Sequence, residues 1–438
     1  MTGASPAAWR FSVVDELNCY FDSPAEPANI LLEIWVPGHL DAQRLRAAVT
    51  AVLTAYPQAR ARRARGSWWR SSYTWTVPPQ TDHDVVSVTD WHTDSELDAA
   101  RASFLATTPP VDQSPPFRLL LARGPQLDSL ILNASHAAVD GRSCLALMRR
   151  IAGAYSADAD GYRDSSTAES GPVRERVTPP AAVSEETQRH PGWRVARIAP
   201  QPAGRRAPGY GFLLLGWPGI PVPPRQQERA TVNDLLVAAL IETITRWNAA
   251  RRRPPRPIRI TIPVDIRPPG HGDDFGNKTA LCTVAVHPDD ADADRVALVS
   301  AQIRQGKQRA SRQVGFALSA AAKVPLPTAV KRRLLRVAVR CLGTLMSDTS
   351  LLTNMGNFTD PPCFGGLAPE RAWISGFAHM PRGLCVGAIT VAGRLQLCFR
   401  YRLALFDDTA AAEFAAMYMN ALASLADESV EMDAEANR

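Results

Sequence analysis

Apolar positions along this chain switch between two periods, and the switches mark its elements. Residues 29–36 (Asn-Ile-Leu-Leu-Glu-Ile-Trp-Val) form a nearly unbroken apolar run of strand length, stopped by Pro37-Gly38. Leu45, Ala48, Val49, Val52, Leu53 and Tyr56 then recur on one face, which predicts a helix capped by Asp41 and ended by Pro57. Ahead of these, Phe11, Val13, Val14 and Leu17 read as a short helix or an irregular lead-in over 10–27. Trp69, Tyr73 and Trp75 alternate and predict a strand over 67–77. A helix over 95–106, a strand over 117–122 and another at Leu130-Ile131-Leu132 complete a first α/β unit. A loop then leads into a helical stripe of Leu145, Met148, Ile151, Ala152 and Tyr155.

Periodicity fades over 156–207, where Ser, Thr, Pro, Gly, Arg and Glu dominate, and a linker is expected there. The apolar run 211–217 interrupts it as a short strand. Thr231 caps a helix bearing Val232, Leu235, Leu236, Ala239, Leu240 and Ile244 on one face. Ile258, Ile260, Ile262 and Val264 alternate as a half-buried strand, and a loop over 270–277 leads to a strand over 279–286. Helices over 293–311 and 328–345, a strand over 349–354, a hairpin about Ala392-Gly393 and a last helix over 407–425 follow. The acidic end is expected to fray. The expected division is a first lobe over 1–160, a crossover over 161–229 and a second lobe over 230–438.

Composition narrows the class. With 438 residues, 45% hydrophobic and 21% charged, the chain suits a two-domain globular protein. No apolar run is long enough to span a bilayer and no secretory signal is visible, so a cytoplasmic enzyme is expected, and it is read as a monomer. The formal charge of +6 raises the question of nucleic acid. All but four of the 49 basic residues (Lys278, Lys307, Lys323 and Lys331) are Arg, which reads as coding bias, and no nucleic-acid partner is expected. Arg60, Arg62, Arg63 and Arg65, and Arg251 to Arg253, read as solvated faces before phosphate or carrier-protein sites. Seven scattered Cys without a Cys-x-x-Cys pair give neither a disulfide framework nor a metal site. His271 near Asp273 and Asp274 lacks a second His at ligand spacing, and His379 reads as a loop histidine.

His136 stands apart, on the loop between the 130–132 strand and the following helix, four residues before Asp140-Gly141. Such a loop can aim a side chain into a cleft, and an imidazole can take and return a proton near neutral pH. Ser135 invites a nucleophile reading, but neighbours on a strand point opposite ways. Asp140 either orients His136 or holds the loop.

The ordered set Leu40-Asp41 to Tyr56-Pro57, His136-Ala-Ala-Val-Asp140-Gly141, Thr231 to Arg267-Pro268, Asp274-Phe-Gly-Asn277 and Thr353-Asn354-Met-Gly356 resembles the coenzyme-A-dependent acyltransferase superfamily. That superfamily includes nonribosomal-peptide condensation domains, polyketide-associated acyltransferases and plant BAHD enzymes. The resemblance implies an α/β fold of two chloramphenicol-acetyltransferase-like lobes with mixed sheets and an active-site tunnel between them. It implies acyl transfer from a coenzyme A or carrier-protein thioester to a small-molecule hydroxyl or amine, with His136 as general base and no bound cofactor. It also turns Asp140 away from the site to pair with an Arg, for which Arg267 is the candidate, and gives Gly141 the task of keeping the tunnel open. Asn354, Gly356 and Ser135 are substrate or oxyanion candidates. Two departures matter: Ser135 stands where condensation domains carry a first His, and Asp274-Phe-Gly-Asn277 lacks the plant-type Trp-Gly. A non-catalytic docking module, or cyclisation, epimerisation or hydrolysis on the same fold, are the alternatives.

Overall fold

The computed structural model describes residues 8–426 except 67–68, 158–194, 202–208, 224–229, 269, 272–273, 291–293, 311–323 and 359. The first half runs β1 (Ala8–Arg10), α1 (Val13–Phe21), β2 (Asn29–Pro37), α2 (Ala42–Ala55), β3 (Arg62–Arg63), β4 (Thr74–Thr76), β5 (Val86–Asp90), α3 (Asp94–Leu105), β6 (Phe117–Arg123), β7 (Leu127–Ser135) and α4 (Gly141–Ser156). The second half runs β8 (Tyr210–Trp217), α5 (Val232–Ala250), β9 (Ile258–Asp265), β10 (Thr279–Val286), α6 (Arg295–Ala310), α7 (Thr328–Met346), β11 (Ser350–Asn357), β12 (Arg371–Ser375), β13 (Leu384–Val391), β14 (Arg394–Arg402) and α8 (Asp408–Leu425).

Two large mixed sheets carry the molecule, ordered β12-β2-β7-β6-β5 and β10-β9-β11-β13-β14-β8, beside a small sheet β1-β4-β3. Ile30, Leu32 and Ile34 of β2 face α2 and α4, packing with Leu45, Val49, Leu145 and Met148. The opposite face, with Leu31, Ile131 and Trp373, packs on Phe212, Leu214 and Cys398 of the six-stranded sheet. Burial on both faces is why β2 reads as a continuous apolar run and not as an alternating one. The outer face of the second sheet is covered by α5 and α8 through Leu236, Leu240, Trp247, Phe414 and Tyr418.

The polar residue in that run, Glu33, is fully buried and accepts hydrogen bonds from Arg101 Nε (2.5 Å) and Nη2 (2.8 Å), Trp35 Nε1 (2.8 Å) and Ser129 Oγ (2.9 Å). A buried carboxylate is tolerated here because a guanidinium and two neutral donors replace its water.

Strand β12 belongs to the second half of the chain yet completes the first sheet, antiparallel to β2 with Trp373 opposite Glu33. It also lies against β13, where a Cβ on Gly387 would fall 1.6 Å from the Ile374 carbonyl oxygen. Only glycine permits this backbone-to-backbone approach between the sheets.

Several sequence expectations are corrected. The alternating aromatics do not form one strand: β4 covers only Thr74–Thr76, Trp75 is buried in a 4.0 Å stack on Phe11, and Trp69 is 63% exposed. Pro78 and Pro79 follow at once and remove the donors a longer ladder needs. The lead-in is a helix, α1, closed by a Ser12/Asp15 capping box. Strand β11 does not stop at Asn354 but passes Gly356, in the left-handed region at φ +73°, through a register shift to Asn357. Of the expected linker, 158–194 lie outside the described residues, while Val195, Ala196, Ile198 and Ala199 are buried, and Ala199 carbonyl accepts the Trp247 indole at 2.9 Å. The acidic end also lies outside them. Strand β12 had no expectation at all.

Gly387→Ala should lower stability by about 3 kcal/mol or more, since backbone must move. Gly216→Ala, whose Cβ meets only the Gln396 side chain at 3.3 Å, should cost no more than ~1 kcal/mol. Urea denaturation of both variants checks the difference; equal midpoints would remove the close approach from the account.

Candidate functional site

The β7–α4 connection is built by backbone first. Ser135 ends β7, and its carbonyl accepts the N–H groups of Ala138 (3.0 Å) and Val139 (3.2 Å), turning the chain. His136 N–H donates to the Ala28 carbonyl at 3.0 Å, which ties the turn to the start of β2. Asp140 is the N-cap of α4 and accepts from Ser143 N–H at 2.9 Å.

Asp140 is 2% exposed, and Arg267 spans both of its oxygens, with Nη2 at 2.9 Å from Oδ1 and Nη1 at 3.0 Å from Oδ2. Lys278 N–H (2.8 Å) and Thr279 Oγ1 (3.1 Å) donate to Oδ2 as well. Burial alone pushes this carboxyl up, but the hydrogen bonds and charge of Arg267 and the two N–H donors outweigh it and hold the group below the usual carboxylate range. Arg267 also donates to the carbonyls of Asp274 (3.0 Å) and Gly276 (3.1 Å), and Ser143 Oγ bridges to Gly276 O at 2.9 Å. One guanidinium therefore fastens α4 to the loop between β9 and β10.

That loop ends at Asn277, whose Nδ2 donates to the carbonyls of His136 (2.9 Å) and Ala137 (3.1 Å) and to Asp15 Oδ1 (2.9 Å). From the other side, Asn18 Nδ2 on α1 donates to the His136 carbonyl at 3.0 Å and lies 3.3 Å from Nδ1. The imidazole meets the Phe377 ring edge-on at 5.5 Å between centroids. Nδ1 thus faces protein, while Nε2 has no hydrogen-bond partner among the described residues, and the residue as a whole is half-buried. Burial lowers the His136 pKa, and hydrogen bonds to backbone oxygens and the Asp140 charge only partly oppose it. The ring is neutral at pH 7 and able to accept a proton.

The remaining candidates are not hydrogen-bonded to the His136 ring among the described residues. Ser135 is buried at 2%. Asn354 turns its Oδ1 onto the Gly356 N–H (2.9 Å), which leaves its Nδ2 as donor. Neither Asn354 nor Gly356 is hydrogen-bonded to His136 among the described residues. A Cβ on Gly141 would come within 3.1 Å of Ile374 Cδ1 and Met355 Sδ, so this glycine serves packing between the two sheets. His379 lies tilted against Phe377 at 4.4 Å between centroids, and burial pushes its pKa down to about 3. His271 is exposed, 3.5 Å from Asp274. Arg62 and Arg63 pair with Asp82 and Asp112, and Arg251 with Glu413. Sequence reasoning missed Asp15, Asn18 and Phe377 altogether; Asn18 lies in a segment with no motif, and its place is set by tertiary packing.

No family model matches the chain. Two uncharacterized proteins of Mycobacterium tuberculosis, from two strains, are each 28% identical to it, covering 94% of this chain and 98% of their own. Among solved structures, the first condensation domain of the calcium-dependent antibiotic synthetase, in complex with a substrate analogue, aligns with a TM-score of 0.65 at 16% identity over 95% of this chain and 96% of its own. The cyclization-docking bidomain of EpoB from Sorangium cellulosum aligns at 0.62 and 16% over 97% and 86%. A variant starter condensation domain of rhizomide synthetase in complex with C8-CoA aligns at 0.60 and 14% over 96% and 94%. These likenesses show the fold: this chain has the two-lobed α/β fold of condensation domains.

Asp140→Asn should cost about 3 kcal/mol, because Arg267 loses its bidentate buried partner and keeps only the Asp265 carboxylate at 3.0 Å. A carboxyl held low in the folded state stabilises above its unfolded pKa near ~4, and that stability fades as pH falls through the lower folded value. Urea midpoints measured across the acid range should therefore fall more steeply for the unsubstituted protein than for Asp140→Asn; parallel slopes would remove Asp140 from the acid-sensitive set.

Proposed function

We propose that this chain, with the fold of condensation domains, is an acyltransferase that moves an acyl group from a thioester to a small-molecule hydroxyl or amine. The observation that carries this is the His136 imidazole: kept neutral by burial, held by its carbonyl and Nδ1 edge, and with Nε2 unengaged by hydrogen bonds to the described residues. Nε2 takes the acceptor's proton as its oxygen or nitrogen attacks the thioester carbon. The carbonyl oxygen becomes an oxyanion, for which the free Nδ2 of Asn354 is the donor. The C–S bond then breaks, and the proton on His136 passes to the thiolate. Asp140 and Arg267 act on the loop and not on the proton, since both oxygens of Asp140 are already taken. Coenzyme A or a carrier protein supplies the thioester, as the C8-CoA complex of a fold neighbour suggests. The proposed lobes are 1–160 and 230–438, joined by 161–229.

Incubation with acyl-coenzyme A and acyl-carrier panels should release free thiol in an acceptor-dependent way, with product mass reporting the acylated acceptor. His136→Ala should lower that rate at least about 100-fold with an unchanged urea midpoint. Because burial depresses the His136 pKa, the rate should hold at neutral pH and fall only on the acid side of ~6.5. Asn354→Ala should reduce kcat by about 100-fold with little change in KM. A His136→Ala variant that turns over normally overturns the reading.

A further inference from the structure

Five of the nine strongly exposed large hydrophobic side chains among the described residues gather in two adjoining segments: Trp69 on one, and Val324, Val330, Leu334 and Val337 on the other. The segments touch directly, for Thr328 N–H donates to the Arg70 carbonyl (2.9 Å) and Lys331 Nζ to the Ser71 carbonyl (2.7 Å). Val330, Leu334 and Val337 are spaced by four and three residues, so they share one face of α7. A surface helix ordinarily turns such a face to the core. Here the inward side is mixed instead: Thr328 and Lys331 are buried, Leu335 and Ala338 are half-buried, and Arg332 reaches the Asp22 carbonyl at 3.1 Å. Leu334 and Val337 are each 54% exposed.

The helix carries Lys331, Arg332, Arg333, Arg336 and Arg340 and no carboxylate. Arg333 and Arg336 are exposed beside the aliphatic row. A second copy of the chain would set like charges against like. An acidic protein would answer the charges, yet exposed aliphatic side chains along one helix face beside an exposed indole suit immersion among lipid headgroups. Arginine side chains can then reach back to phosphates while their stems stay apolar.

We infer that the outward face of α7, with Trp69 at its N-terminal end, rests on an anionic lipid surface. The helix is braced against α1, since Arg332 and Arg336 both donate to the Asp22 carbonyl at its C-terminal cap (3.1 and 2.8 Å). One turn earlier on α1, Asn18 lies beside His136. The lipid-facing surface is therefore coupled by a single helix to the candidate base. The inference does not rest on acyl transfer, because the surface can be read without turnover.

The test is co-sedimentation of the full chain with vesicles of phosphatidylcholine alone and of phosphatidylcholine with phosphatidylglycerol. The protein should sediment with the anionic vesicles, release as salt is raised, and stay in solution with the neutral ones. Leu334→Asp with Val337→Asp, and separately Arg333→Glu, should each weaken vesicle binding about tenfold while the urea midpoint holds. Trp69→Ala serves as a second variant with no helix to disturb and should weaken binding as well. Failure to sediment, equal binding to both vesicle types, binding unchanged in these variants, or loss only of binding to an acidic carrier protein would each overturn the inference.

Discussion

A carboxylate and a guanidinium, buried together where the two halves of the chain meet, govern the geometry of everything around them. Asp140 comes from the entrance of α4 and Arg267 from the exit of β9. Neither charge has water to fall back on, since their side chains are 3% and 2% exposed. Asp140 is satisfied by Arg267 and the N–H of Lys278, and Arg267 by Asp140, by Asp265 at 3.0 Å and by the carbonyls of Asp274 and Gly276. Such a pair adds little net stability over apolar residues, but it accepts one arrangement and penalises the rest. The 274–277 loop is wrapped on Arg267, and that loop delivers Asn277 to the His136 carbonyl.

The imidazole is thereby positioned through its backbone, leaving its chemistry unencumbered. Two side-chain amides, from Asn18 and Asn277, converge on the same carbonyl oxygen, one from each half of the chain. Asp15, a carboxyl raised by burial, accepts the second hydrogen of Asn277 and fixes its orientation. Ser135, the neighbouring hydroxyl, is buried and not hydrogen-bonded to the ring among the described residues, and Phe377 meets that ring edge-on as an apolar wall.

Much of this was legible before any coordinates, for reasons that can be named. Local signals gave β2 through an unbroken apolar run stopped by Pro37, and α2, α4 and α5 through a clean helical period, with Asp41 and Thr231 receiving the expected N–H and Asp140 capping α4 in the same way. Arg267 could be paired with Asp140 only through resemblance, as 127 residues separate them. Asn18 and Phe377 were invisible, since a lone Asn on a short helix and a Phe after a five-residue strand carry no periodic mark. The Trp69 to Trp75 alternation misled for a physical reason: one ring is in a core with Phe11 and the other faces outward, so the period did not report a shared surface.

Strand β12 sets how the polypeptide must be made. Until residues 371–375 emerge, β2 has no neighbour on that side, and the row Leu31, Leu32, Ile34 presents bare amides flanked by oily side chains. A nascent chain holding only its first portion would carry a sticky ribbon edge until late in synthesis. Excising either portion as a module would cut through a shared sheet, so recombination between relatives would have to exchange the whole unit, and shuffling of separate halves is disfavoured by architecture alone.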